Sequence, residues 1–471
     1  MIFSDDFLNE NAFPYFDNEN LKLKVQKCKE YVSRGQTIAF LDNIEETIQL
    51  CIEYDLTEDG IFLTEAALEI SPYSSELWHS RGIFFNNLFE FEKAYVCFDK
   101  SLSLNPSDVE TMINKAIAED NLGLGESAIK TLQDALSLEP SNEEILFNLG
   151  IFYERNDSLK KAIHYFEQTV EIDPEYSDAW YELGFSFETN GDLEKSLEAY
   201  KKFLEIDPYS ASGWYNLGII NLKLTNTKEA VNNFELAVTL NDDFVNAWYN
   251  LGIAYTKNNN YAEARKSFLK AYEQDPLDYS IPLSIAQSFE AVGDYEKAAD
   301  YFEEALQLSK SCTEAYIGLG NYYSRKNNVS AMLDYFSQFI RYTLAQKVKI
   351  GSAKESDQLI TKIYNELFDL ESERNISENN LLKSAENNFN LGRWKTAVSL
   401  FNNLLEKYSD KSEIFYSLAL CSFMLREDEK AIKYLNSSFD LNPRAENIFL
   451  EDFPKLESTQ LYISIFNAIF F

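Results

Sequence analysis

Glycine and proline are scarce in this 471-residue chain, at 16 and 10 residues. That excludes a loop-rich architecture and leaves short, regular connections of the kind an all-helical chain uses. Cysteine is scarcer still. Cys28, Cys51, Cys97, Cys312 and Cys421 are odd in number, widely scattered and without a CxxC spacing, which argues against a disulfide framework and fits free thiols in a reducing cytosol. Histidine occurs only at His79 and His164, too far apart and too differently placed for metal-ligand spacing. No 18 consecutive apolar residues occur, so no helix is expected to span a membrane, and the greasy end LYISIFNAIFF (461–471) is too short to cross. The start, MIFSDDFLNE, is acidic and lacks the basic and apolar regions of a signal peptide. A cytoplasmic location is therefore expected. Positive charge is also short, with 42 Lys and Arg against 77 Asp and Glu and a formal net charge of −35. Such a surface repels phosphate backbones and anionic lipid heads, so nucleic acid and membrane are poor partners and basic or neutral proteins better ones. The same charge also keeps a large protein in solution. Nucleophile-elbow, P-loop and dinucleotide signatures are missing, and LGLGE (122–126) reads as the end of one helix and the start of another. Acidic pairs at helical spacing are what 77 acids produce by chance. Neither a catalytic site nor a cofactor or metal is expected.

What the chain does contain is a period. At 45% apolar and 25% charged residues it is an ordinary folded chain, yet it is too long for one hydrophobic core and must be several domains or a repeat array. Trp78, Trp180, Trp214 and Trp248 are separated by multiples of 34 residues, and Met112, Leu146, Pro282 and Tyr316 fill the intermediate positions. Four residues after each stands Gly82, Ala116, Gly150, Gly184, Gly218, Gly252, Ala286 or Gly320. Later in each unit an Ala-rich position (Ala94, Ala128, Ala162) precedes a large ring by four residues (Phe98, Phe166, Tyr200, Phe234). The frame holds over residues 75–346, eight units of 34.

Steps of three and four put these residues on single helical faces, so each unit reads as two amphipathic helices. The small residues allow close approach, and the rings fill the space beside them. Gly123, Gly191, Gly293, Asn259 and Asn327 fall between the two helices, where a left-handed residue ends the first. Pro106, Pro140, Pro174, Pro208 and Pro276 fall between units. Ser107 with Glu110, and Ser141 with Glu144, read as capping boxes for the helices that follow.

The stretches AWYELGFSFETNGDLEKSLEAYKKFLEIDP (179–208) and AWYNLGIAYTKNNNYAEARKSFLKAYEQDP (247–276) resemble the tetratricopeptide repeat family. The resemblance implies an all-α, right-handed superhelical solenoid of stacked antiparallel helix pairs. On this frame residues 1–40 form an N-terminal helical cap, 41–74 a degenerate unit and 75–346 the eight contiguous units. Residues 347–377 form a frame-breaking helical insert, whose start continues the preceding helix and which holds a further helix near 356–371. Residues 378–445 form two more units and 446–471 a C-terminal capping helix, although that greasy tail also reads as a docking peptide or membrane-touching helix.

The family resemblance also implies that the first helix of each unit lines a concave groove, with the residues one and five places after the large anchor pointing inward. Those positions carry His79, Ile113, Phe147, Tyr181, Tyr215, Tyr249, Leu283 and Ile317, then Ile83, Ile117, Ile151, Phe185, Ile219, Ile253, Gln287 and Asn321. From Phe147 to Ile253 they form an aromatic and aliphatic stripe, flanked by Glu144, Asp178, Glu154 and Glu188 and then by Lys223 and Lys257. Rigid rings of this kind serve peptide recognition, and they equally serve packing against the neighbouring helix. Both readings stay open. A carboxylate clamp of the chaperone-binding type is not expected, because Tyr or Phe stands where its first Lys would be. The expected function is a non-catalytic interaction scaffold or adaptor that binds a protein or peptide segment in the groove. Alternatives are a peptide-responsive regulator and a non-catalytic recruiting subunit of an enzyme complex. The sequence leaves the oligomeric state open.

Overall fold

The computed structural model describes residues 18–350 and 381–453, apart from 383, 387, 390 and 391. The expected helix near 356–371 and the tail beyond 453 lie outside the described residues. Among the described residues there is no strand, and the all-α solenoid of paired helices is the fold observed. It comprises two compact units, Met1–Leu224 and Thr225–Phe471.

The first unit opens with a helix (Asn18–Ser33) and a 3₁₀ turn (Thr37–Phe40). Helices then come in pairs: Leu41–Glu53 with Thr57–Ile70, Ser75–Asn87 with Phe91–Leu104, Val109–Asn121 with Gly125–Leu138, Glu143–Arg155 with Leu159–Ile172, and Ser177–Asn190 with Leu193–Ile206. Ala211–Lys223 closes the unit. The second unit continues from Thr227–Leu240 through Val245–Lys257 with Tyr261–Gln274, Ser280–Ala291 with Tyr295–Leu308, and Thr313–Arg325 with Val329–Ile350. Beyond residue 380 it contains Trp394–Lys407, Ser412–Met424 with Asp428–Leu441, and Pro443–Asp452.

One contact explains the pairing. A Cβ built on Gly82, Gly150, Gly184, Gly252 or Gly320 would come 2.4 to 2.7 Å from the ring sixteen residues later, Phe98, Phe166, Tyr200, Phe268 or Phe336. Each of those rings is completely buried or within about 1% of it. The first helix therefore surrenders its side chain so that the second can press a ring against its backbone.

The turn between the paired helices is as regular. Asp55, Phe89, Gly123, Asp157, Gly191, Thr225, Asn259, Gly293 and Asn327 stand at steps of 34 and all have φ between 53° and 87°. The amide of the following residue reaches back to the aromatic position of the first helix, as in Ser158 N–H to Tyr153 O at 2.8 Å and Asp192 N–H to Phe187 O at 2.9 Å. This six-to-one bond is a Schellman closure, which needs a left-handed residue whatever its type. Sequence reasoning located only the Gly and Asn members, because Phe89 and Thr225 carry side chains that this conformation disfavours.

Between successive pairs the anchor residue does a second task. The indole N–H groups of Trp78, Trp180, Trp214 and Trp248 donate to the carbonyl six residues earlier at 2.8 to 3.0 Å, and the Tyr316 hydroxyl does the same to Lys310 O at 3.2 Å. The expected capping boxes are displaced by one residue. Asp108 accepts from Thr111 N at 3.2 Å and Asn142 from Ile145 N at 3.1 Å, whereas Ser107 turns its hydroxyl to Asn105. The helices begin at Val109 and Glu143, so the side chain that reaches the third amide is the Asp or Asn, not the Ser before it.

The last second helix before residue 351, Val329–Ile350, runs for 22 residues where its counterparts run for 14. It packs onto later helices: Phe336 and Phe339 share one core with Phe401, Tyr416 and Phe423. Buried Arg341 donates from Nε to Phe423 O at 2.8 Å and from Nη2 to Asp428 at 2.9 Å, and Ser337 donates to the same carboxylate at 2.6 Å. Pro443 opens the Pro443–Asp452 helix at its first turn behind an Asn442 cap.

Two substitutions test this construction by urea or thermal denaturation. Gly150→Ala is expected to cost about 2 kcal/mol, because the new Cβ overlaps the Phe166 ring and overpacking outweighs alanine's better helix propensity. Phe89→Gly is expected to stabilise by about 1 kcal/mol by relieving a left-handed, exposed aromatic residue.

Candidate functional site

In the first unit, successive first helices present the positions singled out by sequence: Phe147 and Ile151 on Glu143–Arg155, Tyr181 and Phe185 on Ser177–Asn190, and Tyr215 and Ile219 on Ala211–Lys223. Tyr249 and Ile253 occupy the equivalent places on Val245–Lys257 in the second unit. The stripe is less open than a row of free rings. Of these eight residues only Phe185, 46% exposed, counts as exposed, and the rest are half-buried.

The cause of the burial is geometric. Three of the rings lie over the second helix of their own pair: Phe147 is 5.7 Å from Phe166, Tyr181 is 5.7 Å from Tyr200 and 5.2 Å from Phe203, and Tyr249 is 5.6 Å from Phe268, centroid to centroid. Tyr176, which heads the next helix, covers Phe147 at 5.0 Å. Its phenol is pushed up to about 12 by burial and then by Glu144 and Asp178.

Polar atoms along this face link residues 35 apart. Asn114 meets His79 Nε2 at 3.1 Å, Asn216 donates to the Tyr181 hydroxyl at 2.9 Å, and the Tyr249 hydroxyl lies 3.2 Å from Ser284 Oγ. Arg155 pairs with Asp120, and Lys223 with Glu188 at 2.7 Å. Stripe residues thus tie one repeat to the next while keeping part of their surface in water. Packing and exposure coexist on the same side chains.

His79 has Glu110 at 4.0 Å. Burial lowers its pKa, against the opposing pull of Glu110 and Asp108, so the ring sits neutral as a hydrogen-bonding strut. His164 is exposed on the second helix Leu159–Ile172 with its ring beside Tyr165. Among the described residues no group of three or more His, Cys, Asp and Glu is placed to hold a metal ion.

The acidic flank is more built than sequence suggested. Glu144 lines a polar hollow of about 440 Å³ together with Glu76, Asp108, Glu110 and Glu139. Its carboxyl is held above the usual range by burial, then by Glu110 and Glu143. Glu154 accepts from Ser186 Oγ at 3.0 Å, and burial still raises its pKa. Asp178 is exposed in the first turn of Ser177–Asn190.

Glu182 is a residue that sequence reasoning passed over. It follows Ser80, Asn114 and Asn148 and precedes Asn216 at steps of 34, the single acid of that row within residues 75–346, and this is the signal that could have found it. Asn114 and Asn216 bond the side chain 35 residues earlier, but the residue 35 before Glu182 is Phe147, whose ring offers no polar partner. Among the described residues the Glu182 carboxylate has no hydrogen-bond or ion-pair partner. Burial pushes its pKa to about 7, helped by Glu154 and Asp178 and opposed by Arg155.

Family models described as tetratricopeptide repeat match residues 113–177, 158–211, 211–244, 245–278, 283–342 and 382–445. No curated protein matches the chain significantly. Among solved structures, a tetratricopeptide repeat protein from Parabacteroides merdae is 21% identical, covering 49% of this chain and 91% of its own, with a TM-score of 0.38. YrrB, described as a TPR protein with an unusual peptide-binding site, is 20% identical over 39% of this chain and 95% of its own, with a TM-score of 0.37. PilF of Pseudomonas aeruginosa is 21% identical over 46% and 95%, with a TM-score of 0.36. Likenesses this partial bear on no partner.

A carboxyl whose pKa is raised on folding stabilises the native state fully only below its unfolded value. Stability is then lost as pH rises from about 4.5 to about 7. Glu182→Gln is therefore expected to flatten the pH dependence of the melting temperature in that window and to raise stability at pH 8 by about 1 kcal/mol. Calorimetry at pH 5 and pH 8 checks it.

Proposed function

The chain belongs to the tetratricopeptide repeat family, and on that premise we propose that it is an interaction scaffold whose first helices hold a polypeptide segment of a partner. Interaction with proteins or peptides is what arrays of this repeat support in general. The finer reading places the partner on Phe147, Ile151, Tyr181, Phe185, Tyr215 and Ile219 in the first unit; Tyr249 and Ile253 are the equivalent positions of the second. Glu144, Asp178, Glu154 and Glu188 contribute charge along its edge.

The observation that carries this reading is Phe185. It is a large ring, 46% exposed, on a helix whose equivalent positions hold Ile151 and Ile219. A phenylalanine left this open gains from burial under a partner, at roughly 25 cal/mol per Å² of apolar surface covered. The flanking rings are already fixed by contacts with their own second helices, so a segment laid across them orders few side chains on binding. The formal net charge of −35 favours a neutral or basic partner by the same electrostatics that disfavour nucleic acid.

Selection of a displayed random-decapeptide library on the immobilised chain tests the reading. Phe185→Ala combined with Ile219→Ala, confirmed folded by circular dichroism, is expected to reduce retention of the selected peptides at least tenfold. Undiminished retention would remove the first-helix face from consideration.

A further inference from the structure

The acidic flank contains one place where the repeat pattern is broken twice within a few residues. On Ser177–Asn190, Glu182 and Ser186 stand one helical turn apart on the same face. Ser186 donates to Glu154 Oε1 at 3.0 Å, so Glu182 rises beside the same carboxylate. Glu188 lies one turn after Gly184 and gives one oxygen to Lys223 at 2.7 Å.

Under this helix sits Tyr200. In the three repeats before it the position holds Phe98, Leu132 and Phe166, none with a polar atom. Tyr200 is 0% exposed, and its hydroxyl has no hydrogen-bond partner. The ring carbon that bears the hydroxyl is pressed against Gly184, 2.7 Å from where a Cβ would be. The charges acting on the phenol come from Tyr181, Glu188, Glu182 and Glu154. A buried hydroxyl left unpaired is costly relative to the phenyl group used in neighbouring repeats. Here the carboxylates whose charge acts on it are left largely uncompensated by nearby cations. Arg155 is paired with Asp120, and Lys223 occupies one oxygen of Glu188. One oxygen of Glu154, both of Glu182 and the Tyr200 oxygen remain as acceptors, four in all. A guanidinium carries five N–H donors and an ammonium three.

We propose that Glu154 and Glu182, with Tyr200 beneath them, seat one basic side chain, arginine or lysine, of the polypeptide held by this face. The inference rests on the scaffold reading above and specifies the chemistry of its partner. The basic side chain enters beside Phe185, so its neighbours in the partner cover the exposed ring while its head replaces the missing counter-charge.

The test uses three acetylated decapeptide libraries, each with a fixed central arginine, lysine or norleucine and Ala, Leu, Tyr, Ser and Asn elsewhere. Retention on the full chain is measured at 0.3 M NaCl, where long-range attraction to an acidic protein is screened. Retention of the arginine or lysine library is expected to exceed that of the norleucine library at least tenfold. Glu182→Gln should reduce that retention at least fivefold while leaving the fold at least as stable. Glu167→Gln, which removes the same charge from the exposed second-helix surface, should leave it unchanged. Tyr200→Phe should weaken retention of the basic libraries without lowering the melting temperature. Equal retention of norleucine, or equal losses in Glu182→Gln and Glu167→Gln, overturns the seat. If all three libraries bind alike and Phe185→Ala releases them, the first-helix face stands and the seat falls. If none is retained, both fall.

Discussion

The contact between a first-helix glycine and the ring sixteen residues later is the constraint on which the other features depend. Because Gly150 lacks a side chain, Phe166 can lie against the backbone of its partner helix, and the distance between the paired helices is set by the thickness of a ring. That distance leaves only a turn of two or three residues, such as Leu122–Leu124 or Leu425–Glu427, and a turn so short must pass through one left-handed residue. The 34-residue step is thus a geometric result as much as a sequence habit: any insertion would move the ring off the glycine. The one place where the step changes, after Val329–Ile350, is where the second helix lengthens. There Arg341 reaches across 82 residues of chain to the Phe423 carbonyl, and the stack resumes.

Pairs become a stack through ties between residues 35 apart, and these explain why the aromatic stripe is half-buried. A residue that must reach the next repeat cannot also stand free in solvent. Tyr181 illustrates the compromise: its ring packs edge-on to Tyr200, its hydroxyl accepts from Asn216, and the remaining surface is left for a partner. The same hydrogen bonds make the stripe rigid, which lowers the entropy lost when a segment binds.

Most of the architecture was legible because it follows from spacing. The Trp, Gly and ring positions repeat without slipping, and spacing survives any exchange of one large side chain for another. What was not legible depends on a choice between neighbours. Ser107 and Asp108 are both good caps, and only the position at which the helix begins decides for Asp108. Phe89 and Thr225 argue against a left-handed residue by type, yet the closing hydrogen bond imposes it. Burial of Tyr181 and Phe147 was hidden because the covering residues, Phe203 and Tyr176, belong to other helices or turns. Glu182 and the hydroxyl of Tyr200 were passed over for the opposite reason: each is a small departure, Asn to Glu and Phe to Tyr, from a row whose regularity drew the attention.

Those two departures bear on how such a scaffold can couple binding to stability. A carboxylate raised to about 7 by burial, and a buried hydroxyl without a partner, both weaken the free array. The cost falls on Ser177–Asn190 and the helices that contact it, because a repeat array is stabilised mainly through nearest neighbours. A ligand that supplies the missing donors binds the folded state and not the unfolded one, so it returns that stability locally, by RT ln(1 + [L]/Kd). Replacing Glu182 by an amide would satisfy the free protein better and discard that coupling.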